Sequence, residues 1–188
     1  MLNSVVALFN AGAAPAPAGV PAYESIAKVT VGSGGSSSVS FTSIAADWTH
    51  LQVRMFVKDT AADTSSETYM TINGTNMERT HQLIGNGSVA SVTTSTISAI
   101  GDTTSNASGQ ANMFGVFIID ILDYTNTNKN KVIRALNGVD RNGGGVIKLV
   151  SGLRASTSAV TSLTFTLQSS RTFAQYSHFA LYGIKGAA

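Results

Sequence analysis

Apolar and polar residues alternate with a period of two along most of the chain after residue 22. In the segment 50–58, every second residue is apolar: Leu51, Val53, Met55 and Val57. Successive side chains of a β-strand point to opposite faces, so this pattern predicts strands with one buried face. Gly- and Asn-rich turns separate the segments, and helical periodicity is nearly absent. The sequence therefore predicts an all-β fold, an antiparallel jelly roll or β-sandwich of about 8–10 strands.

The composition bounds the function of the chain. Its 188 residues support a single domain, and the absence of Cys excludes disulfide scaffolds, thiol catalysis and Cys-based zinc sites. A net charge of +2 gives no electrostatic case for a nucleic-acid partner. The longest apolar run, residues 116–122, is far shorter than the roughly 20 residues of a membrane-spanning helix. We therefore expect neither a nucleic-acid nor a membrane partner.

Residues 1–22 form an uncharged, apolar segment that contains all three prolines of the chain. It lacks the basic start and the long apolar stretch of a secretory signal. We expect an extended arm that docks on a partner or a neighbouring subunit and precedes a β-sandwich domain at residues 23–188. The alternative is an arm that folds back on its own domain. The apolar anchors of the arm are Leu2, Val5, Val6, Leu8 and Phe9.

The segment 111–124 has apolar residues at both odd and even positions. Such a pattern is typical of a central strand buried on both faces, or of a strand whose outer face meets another subunit. We take Phe117, Ile119 and Ile121 as candidates for that subunit interface. They favour a homo-oligomer, with a trimer as the preferred state. By contrast, residues 86–110 are rich in Ser, Thr, Gly and Asn and predict a long surface excursion, with a short strand near residues 92–100.

No catalytic, metal or cofactor site emerges from the spacing of polar residues. His50, His81 and His178 are far apart and lack metal-ligand spacing. Asp120 and Asp123 could form a glycosidase pair, but in an extended strand they would point to opposite faces. We therefore expect a protein that is not an enzyme and has no cofactor. Aromatic residues that could bind a sugar, but that more simply pack in the core or its rim, are Trp48, Tyr69, Tyr124 and Tyr176.

Three stretches together resemble a known group of proteins. They are residues 23–35 (YESIAKVTVGSGG), residues 114–124 (FGVFIIDILDY) and residues 173–186, which close with Ala-Leu-Tyr-Gly-Ile-Lys-Gly. Over residues 22–186 the chain resembles small structural proteins of tailed-bacteriophage virions, of the jelly-roll decoration or fibre-like kind. The resemblance implies a virion location and binding to other virion proteins, such as the major capsid protein or a tail protein. It implies no catalytic residue.

Two functions fit this resemblance. The first is a capsid decoration, or cement, protein that is anchored through residues 1–22 and self-associates. The alternative is a small tail fibre or receptor-binding protein, in which the loops at residues 86–110 and 140–145 would face host-surface glycans.

Overall fold

The computed structural model describes residues 22–62, 65–95, 98–104, 111–141 and 143–186. Within these ranges the chain forms thirteen β-strands, one short 3-10 turn at Gln168–Ser170 and no α-helix. The five arm residues Leu2, Val5, Val6, Leu8 and Phe9 lie outside the described residues. The expectation of an all-β, antiparallel sandwich is confirmed, while the described residues contain more strands than the 8–10 expected.

The strands run in chain order as follows: β1 Tyr23–Thr30, β2 Ser38–Phe41, β3 His50–Val57, β4 Ser65–Ile72, β5 Thr75–Asn76, β6 Arg79–Gly85, β7 Ala90–Ser95, β8 Ala99–Thr104, β9 Gly115–Ile121, β10 Lys131–Asp140, β11 Gly145–Arg154, β12 Leu163–Leu167 and β13 His178–Ile184.

Two sheets face each other. The large sheet has eight strands in the order β1-β13-β3-β9-β10-β11-β6-β7, and the small sheet has five, with the order β2-β12-β4-β5 and β8 paired to β4. Neighbouring strands within each sheet are antiparallel. The chain switches between the sheets repeatedly, so the two layers are built from interleaved parts of the sequence.

The inner faces of both sheets form one hydrophobic core. The alternation in β3 is observed as expected, because its four odd-numbered apolar residues at positions 51–57 are all at most 1% exposed. Aromatic rings join the layers: the Phe165 and Phe179 ring centroids are 5.6 Å apart, and Phe173 meets Phe179 edge-on at 5.1 Å. Offset and edge-on contacts of this kind suit the quadrupoles of the rings.

The segment 86–110 differs from the surface excursion that its composition predicts. Its first described part is the exposed edge strand β7, but β8 lies in the small sheet with a mostly buried pattern. Polar composition concealed this burial because hydrogen bonds satisfy the polar groups of β8. Gly101, at φ +147°, passes so close to β10 that a Cβ atom would lie 2.5 Å from Asn137 Cγ.

The closing stretch of the chain contains a glycine, Gly183, that the packing of Trp48 requires. Strand β13 lies between β1 and β3, and Gly183 sits under the indole ring of Trp48. A Cβ atom at residue 183 would lie 2.1 Å from Trp48 Cδ2, so only glycine fits there. Lys185 covers the same ring, with its Nζ 5.2 Å from the ring centroid. The backbone N–H of Lys185 donates to the Ala22 carbonyl, so the two ends of the domain are adjacent.

Replacing Gly183 by Ala should destabilise the fold, because the new methyl group displaces the Trp48 ring from the core edge. We expect a loss of about 2 kcal/mol in the free energy of unfolding, measured by urea denaturation. Gly144→Ala is the matched control, since no atom lies within 4 Å of a Cβ there and its φ is not positive. Equal losses in the two variants would contradict this account of Gly183.

Candidate interaction surface

The three residues proposed as a subunit interface lie in the core. Phe117, Ile119 and Ile121 are 2%, 0% and 0% exposed, so that prediction is wrong. The physical reason is the parity of β9: its odd-numbered side chains point between the sheets, and its even-numbered side chains point outward. The outward apolar residues are Val116 and Ile118, which are 44% and 39% exposed. Among the residues that the structure describes, strand β9 is therefore buried on one face only.

Aliphatic side chains form a row across the outer face of the large sheet. Adjacent members are direct register partners on neighbouring strands, from β9 through β10, β11 and β6 to the edge strand β7. All of them are exposed. The row consists of Ile118, Leu136, Leu149, Leu83 and Val92.

A second row runs beside the first. Phe56 pairs with Val116, which pairs with Gly138, which pairs with Ile147. Phe56 is 55% exposed although it is a large aromatic residue. Because Gly138 has no side chain, a hollow of about 600 Å³ lies between the side chains of this row. We call the two rows together the apolar face: Phe56, Leu83, Val92, Val116, Ile118, Leu136, Ile147 and Leu149.

The size of the apolar face distinguishes it from scattered surface apolar residues. The exposed fractions of its eight side chains correspond to an area on the order of 700 Å², above the roughly 300–600 Å² of the largest patch on a typical monomer. Each partner in a standard protein interface contributes about 800 Å². The apolar face therefore has the dimensions of an assembly surface.

A sandwich usually has apolar side chains inside and polar side chains outside. At the centre of the apolar face, on β10, β11 and β6, neighbouring residues have the opposite arrangement. On β10, β11 and β6, the leucines at positions 136, 149 and 83 point outward, while Asn137, Lys148 and Gln82 point inward and are 0%, 7% and 5% exposed. Burying polar groups and exposing leucines is unfavourable for an isolated domain. This inversion is explained if another molecule covers the outer side.

Two of these inward polar side chains, Asn137 and Lys148, form hydrogen bonds with strand β8. Lys148 Nζ donates to Asp102 Oδ1 at 2.8 Å, and the side chains involved are only 9% and 16% exposed. Asn137 Nδ2 donates to the Asp102 carbonyl at 2.9 Å, and the Asp102 N–H donates to Asn137 Oδ1 at 2.9 Å. We call Asp102, Asn137 and Lys148 the polar cluster. Its hydrogen bonds connect β8 of the small sheet with β10 and β11 of the large sheet.

A row of polar residues lies beside the apolar face: Gln52 on β3, Asp120 on β9 and Arg134 on β10. Asp120 accepts hydrogen bonds from Gln52 Nε2 at 2.8 Å and from Arg134 Nη2 at 3.2 Å, so its charge is neutralised within the face. At the end of this row, the Tyr23 and Tyr182 rings stack at 4.8 Å. Burial raises the pKa of Tyr23, while the nearby Arg54 guanidinium lowers it. This border supplies hydrogen-bonding groups but little net charge.

The outer face of the small sheet has the opposite character. Its strands present hydroxyl side chains outward, and Ser40 Oγ and Thr164 Oγ1 lie 2.9 Å apart. Thr71 is the direct register partner of Thr164. Only one of the two outer faces of the sandwich is therefore apolar.

The three histidines considered as catalytic candidates lie at separate places in the large sheet. His50 accepts from the Asp123 N–H, His178 contacts Thr30, and His81 lies on β6 at the other side of the large sheet. The predicted opposite orientation of Asp120 and Asp123 is wrong. Strand β9 ends at Ile121, and Asp123 turns at φ 48°, so both carboxylates line a depression of about 400 Å³.

These two carboxylates nevertheless lack the electrostatics of an acid–base pair. Asp120 is bound to Arg134, and Asp123 Oδ2 accepts from Lys129 Nζ at 2.7 Å. The Lys129 ammonium lowers the pKa of Asp123, whereas a general acid near neutral pH requires a raised pKa. The arrangement stabilises the turn after β9.

The aromatic residues considered for sugar binding divide into two groups. Trp48 and Tyr124 are core residues, at 8% and 0% exposure, which agrees with the packing role favoured by the sequence. Tyr69 donates to Glu67 Oε2, and burial together with this contact raises its pKa to about 12. Tyr176 is 69% exposed.

Within the described ranges, no three His, Asp or Glu side chains gather as metal ligands would. No helix there has the length and apolarity needed to cross a bilayer. Comparison of the chain with protein-family models, with curated proteins and with solved structures finds no match.

The sequence does contain a signal for the apolar face. Strands β9, β10 and β11 all carry aliphatic residues at both odd and even positions, as in Val146, Ile147, Leu149 and Val150. Three consecutive strands of this type indicate a sheet with two apolar faces. Periodicity alone does not show which face the domain itself covers, and the odd-numbered residues of β9 that were predicted to form the interface are buried.

Breaking the polar cluster should cost far more than breaking a surface ion pair. Lys148→Met leaves Asp102 without its cation, and we expect a loss of about 3 kcal/mol in unfolding free energy. Lys129→Met is the control, since the Lys129–Asp123 pair is as short, at 2.7 Å, but Lys129 is 63% exposed, so its loss should change stability little.

A double-mutant cycle separates the ion pair from simple packing loss. The variant Asp102→Ala with Lys148→Met should lose less stability than the sum of the two single variants. Additive losses in chemical denaturation would show that the two side chains are not coupled.

Proposed function

We propose that the protein is a structural component of a tailed-bacteriophage virion, and specifically a capsid decoration protein. It binds the shell through residues 1–22 and associates with its own copies through the apolar face. The observation on which this proposal rests is the apolar face itself, backed by inward polar groups. Decoration requires buried area between subunits and no chemistry, so such a surface is sufficient for it.

The arrangement of the resembling stretches supports the proposal. The opening stretch is β1, the closing stretch contains β13, and the middle stretch contains β9. These strands lie within four consecutive strands of the large sheet, β1-β13-β3-β9. The similarity therefore concerns one continuous piece of the fold rather than three unrelated segments.

The position of the arm also supports the proposal. Residues 1–21 precede β1, which is an edge strand of the large sheet. A polyproline-like segment of this length spans up to about 65 Å, which is enough to reach a neighbouring subunit. The arm has no charged side chain, so its burial in an apolar groove involves no desolvation of a charge.

Deleting residues 1–20 should leave a folded domain that no longer decorates shells. The measurement is co-sedimentation with heads of the phage that encodes the chain, prepared without this protein. Circular dichroism and thermal unfolding establish that the truncated domain is folded. Full occupancy by the truncated protein would refute the anchoring role of the arm.

A charge-matched pair of arm variants sharpens this test. Leu8→Asp with Phe9→Asp removes two anchors and adds two negative charges, whereas Asn3→Asp with Asn10→Asp adds the same charges at polar positions. We expect the first variant to lose shell binding and the second to retain it. Equal binding by both would mean that the apolar anchors play no part.

The alternative function, a small tail fibre or receptor-binding protein, is favoured by one observation. The turn at residues 86–89 and the described residues of the 140–145 loop lie together and line a depression of about 790 Å³, with Asn86 and Asp140 among its polar groups. Binding of the purified protein to a host-glycan array, abolished by Asn86→Ala, would support this function. Immunogold labelling of intact particles places the protein on the head or on the tail and so separates the two functions.

A further inference from the structure

We infer that the apolar face binds the same face of a second copy of this chain, so that two large sheets stack around a two-fold axis. This inference rests on the proposed function in treating the apolar face as an assembly surface, and it names the partner. The axis passes near the cross-strand pair Leu136–Leu149, which lies at the middle of the face.

The first argument is the area available. Two faces on the order of 700 Å² each would bury a total close to the ~1,600 Å² of a standard interface. Sheets stack face to face at about 10 Å when both present aliphatic side chains. The aliphatic row from Ile118 to Val92 supplies such a surface across five neighbouring strands.

The second argument is charge. In a two-fold contact, the same face of each copy lies against the other. Two such faces with a net charge would therefore repel each other. Here the Asp120 carboxylate is neutralised by Arg134 within the same chain. The Arg54 guanidinium lies at the border, 5.6 and 5.7 Å from the centroids of the Tyr23 and Tyr182 rings. The eight residues of the apolar face carry no charge at all.

The third argument is the contrast between the two outer faces of the sandwich. The outer face of the small sheet carries the hydroxyl side chains of Ser40, Thr71 and Thr164. The outer face of the large sheet carries leucines, although polar neighbours on the same strands point inward. Among the described residues, the apolar face is therefore the outer face of the sandwich that suits contact with another subunit. One shared face favours a two-fold pair over a trimer, because a ring of three needs two different surfaces.

The test is the sedimentation of the purified full chain, without shells, over a range of concentrations. We expect a dimer that forms at micromolar concentration or below. Leu136→Glu with Leu149→Glu places like charges at the axis and should weaken the dimer at least 100-fold. Thr71→Glu with Thr164→Glu is the matched control: it places two charges on a cross-strand pair of the other outer face and should leave the dimer unchanged.

Cross-linking supplies a second measurement. The chain has no cysteine, so Leu149→Cys introduces a single thiol, which should form an intermolecular disulfide on mild oxidation. Thr164→Cys should not do so. Unchanged thermal unfolding of each variant establishes that its fold is intact.

Several outcomes would overturn the inference. They are a chain that stays monomeric at all concentrations, a trimeric mass, and a dimer that survives the charges at positions 136 and 149. Loss of the dimer on deletion of residues 1–20 would instead identify the arm as the occupant of the face. A monomer that still decorates shells would reject this inference together with self-association, and would leave decoration through residues 1–22 standing.

Discussion

The contact between Asp102 on β8 and the pair Asn137–Lys148 fixes which side of β10 and β11 faces inward at the middle of these strands. Shifting a strand by one residue turns every side chain to the opposite face. For β11, such a shift would bury Ile147 and Leu149 and expose the Lys148 ammonium, a change that hydrophobic burial alone would favour. For β10, it would also expose the core residues Ile133 and Ala135. The hydrogen bonds of the polar cluster oppose either shift, because each of its groups would lose a partner. Leu136 and Leu149 therefore face outward beside polar neighbours that are held inside.

This relation connects the core to the surface. Strand β8 reaches the polar cluster because Gly101 allows its backbone to approach Asn137 closely. The small sheet then covers the inner side of β10 and β11 with these polar contacts, beside the aliphatic packing of Ile133, Ala135 and Val150. Within the large sheet, the strands that contribute most to the hydrophobic core are β3 and β9. The inner face of the large sheet thus stabilises the domain, while its outer face, from β3 to β7, is suited to assembly.

Much of this fold could be predicted from the sequence, and the failures have physical causes. Strand β3 alternates cleanly, so its buried face was evident from residues 51–57. Strand β9 has apolar residues at both parities, so the pattern identified an unusual strand but not which side was open. The odd-numbered residues Phe117, Ile119 and Ile121 were assigned to an interface, yet the even-numbered Val116 and Ile118 face outward. Strand β8 was missed because hydrogen bonds, rather than apolar side chains, make its burial favourable.

The adjacency of Ala22 and Lys185 has a consequence for where foreign sequence can be attached. A peptide fused after Gly186, at the end of the described domain, would begin close to Ala22, where the domain starts. The turn at residues 86–89 lies beside β7, at the opposite edge of the large sheet. Seven strand spacings separate the two edges, which is about 33 Å. An epitope or fluorophore inserted in that turn would be displayed far from the junction of the chain ends.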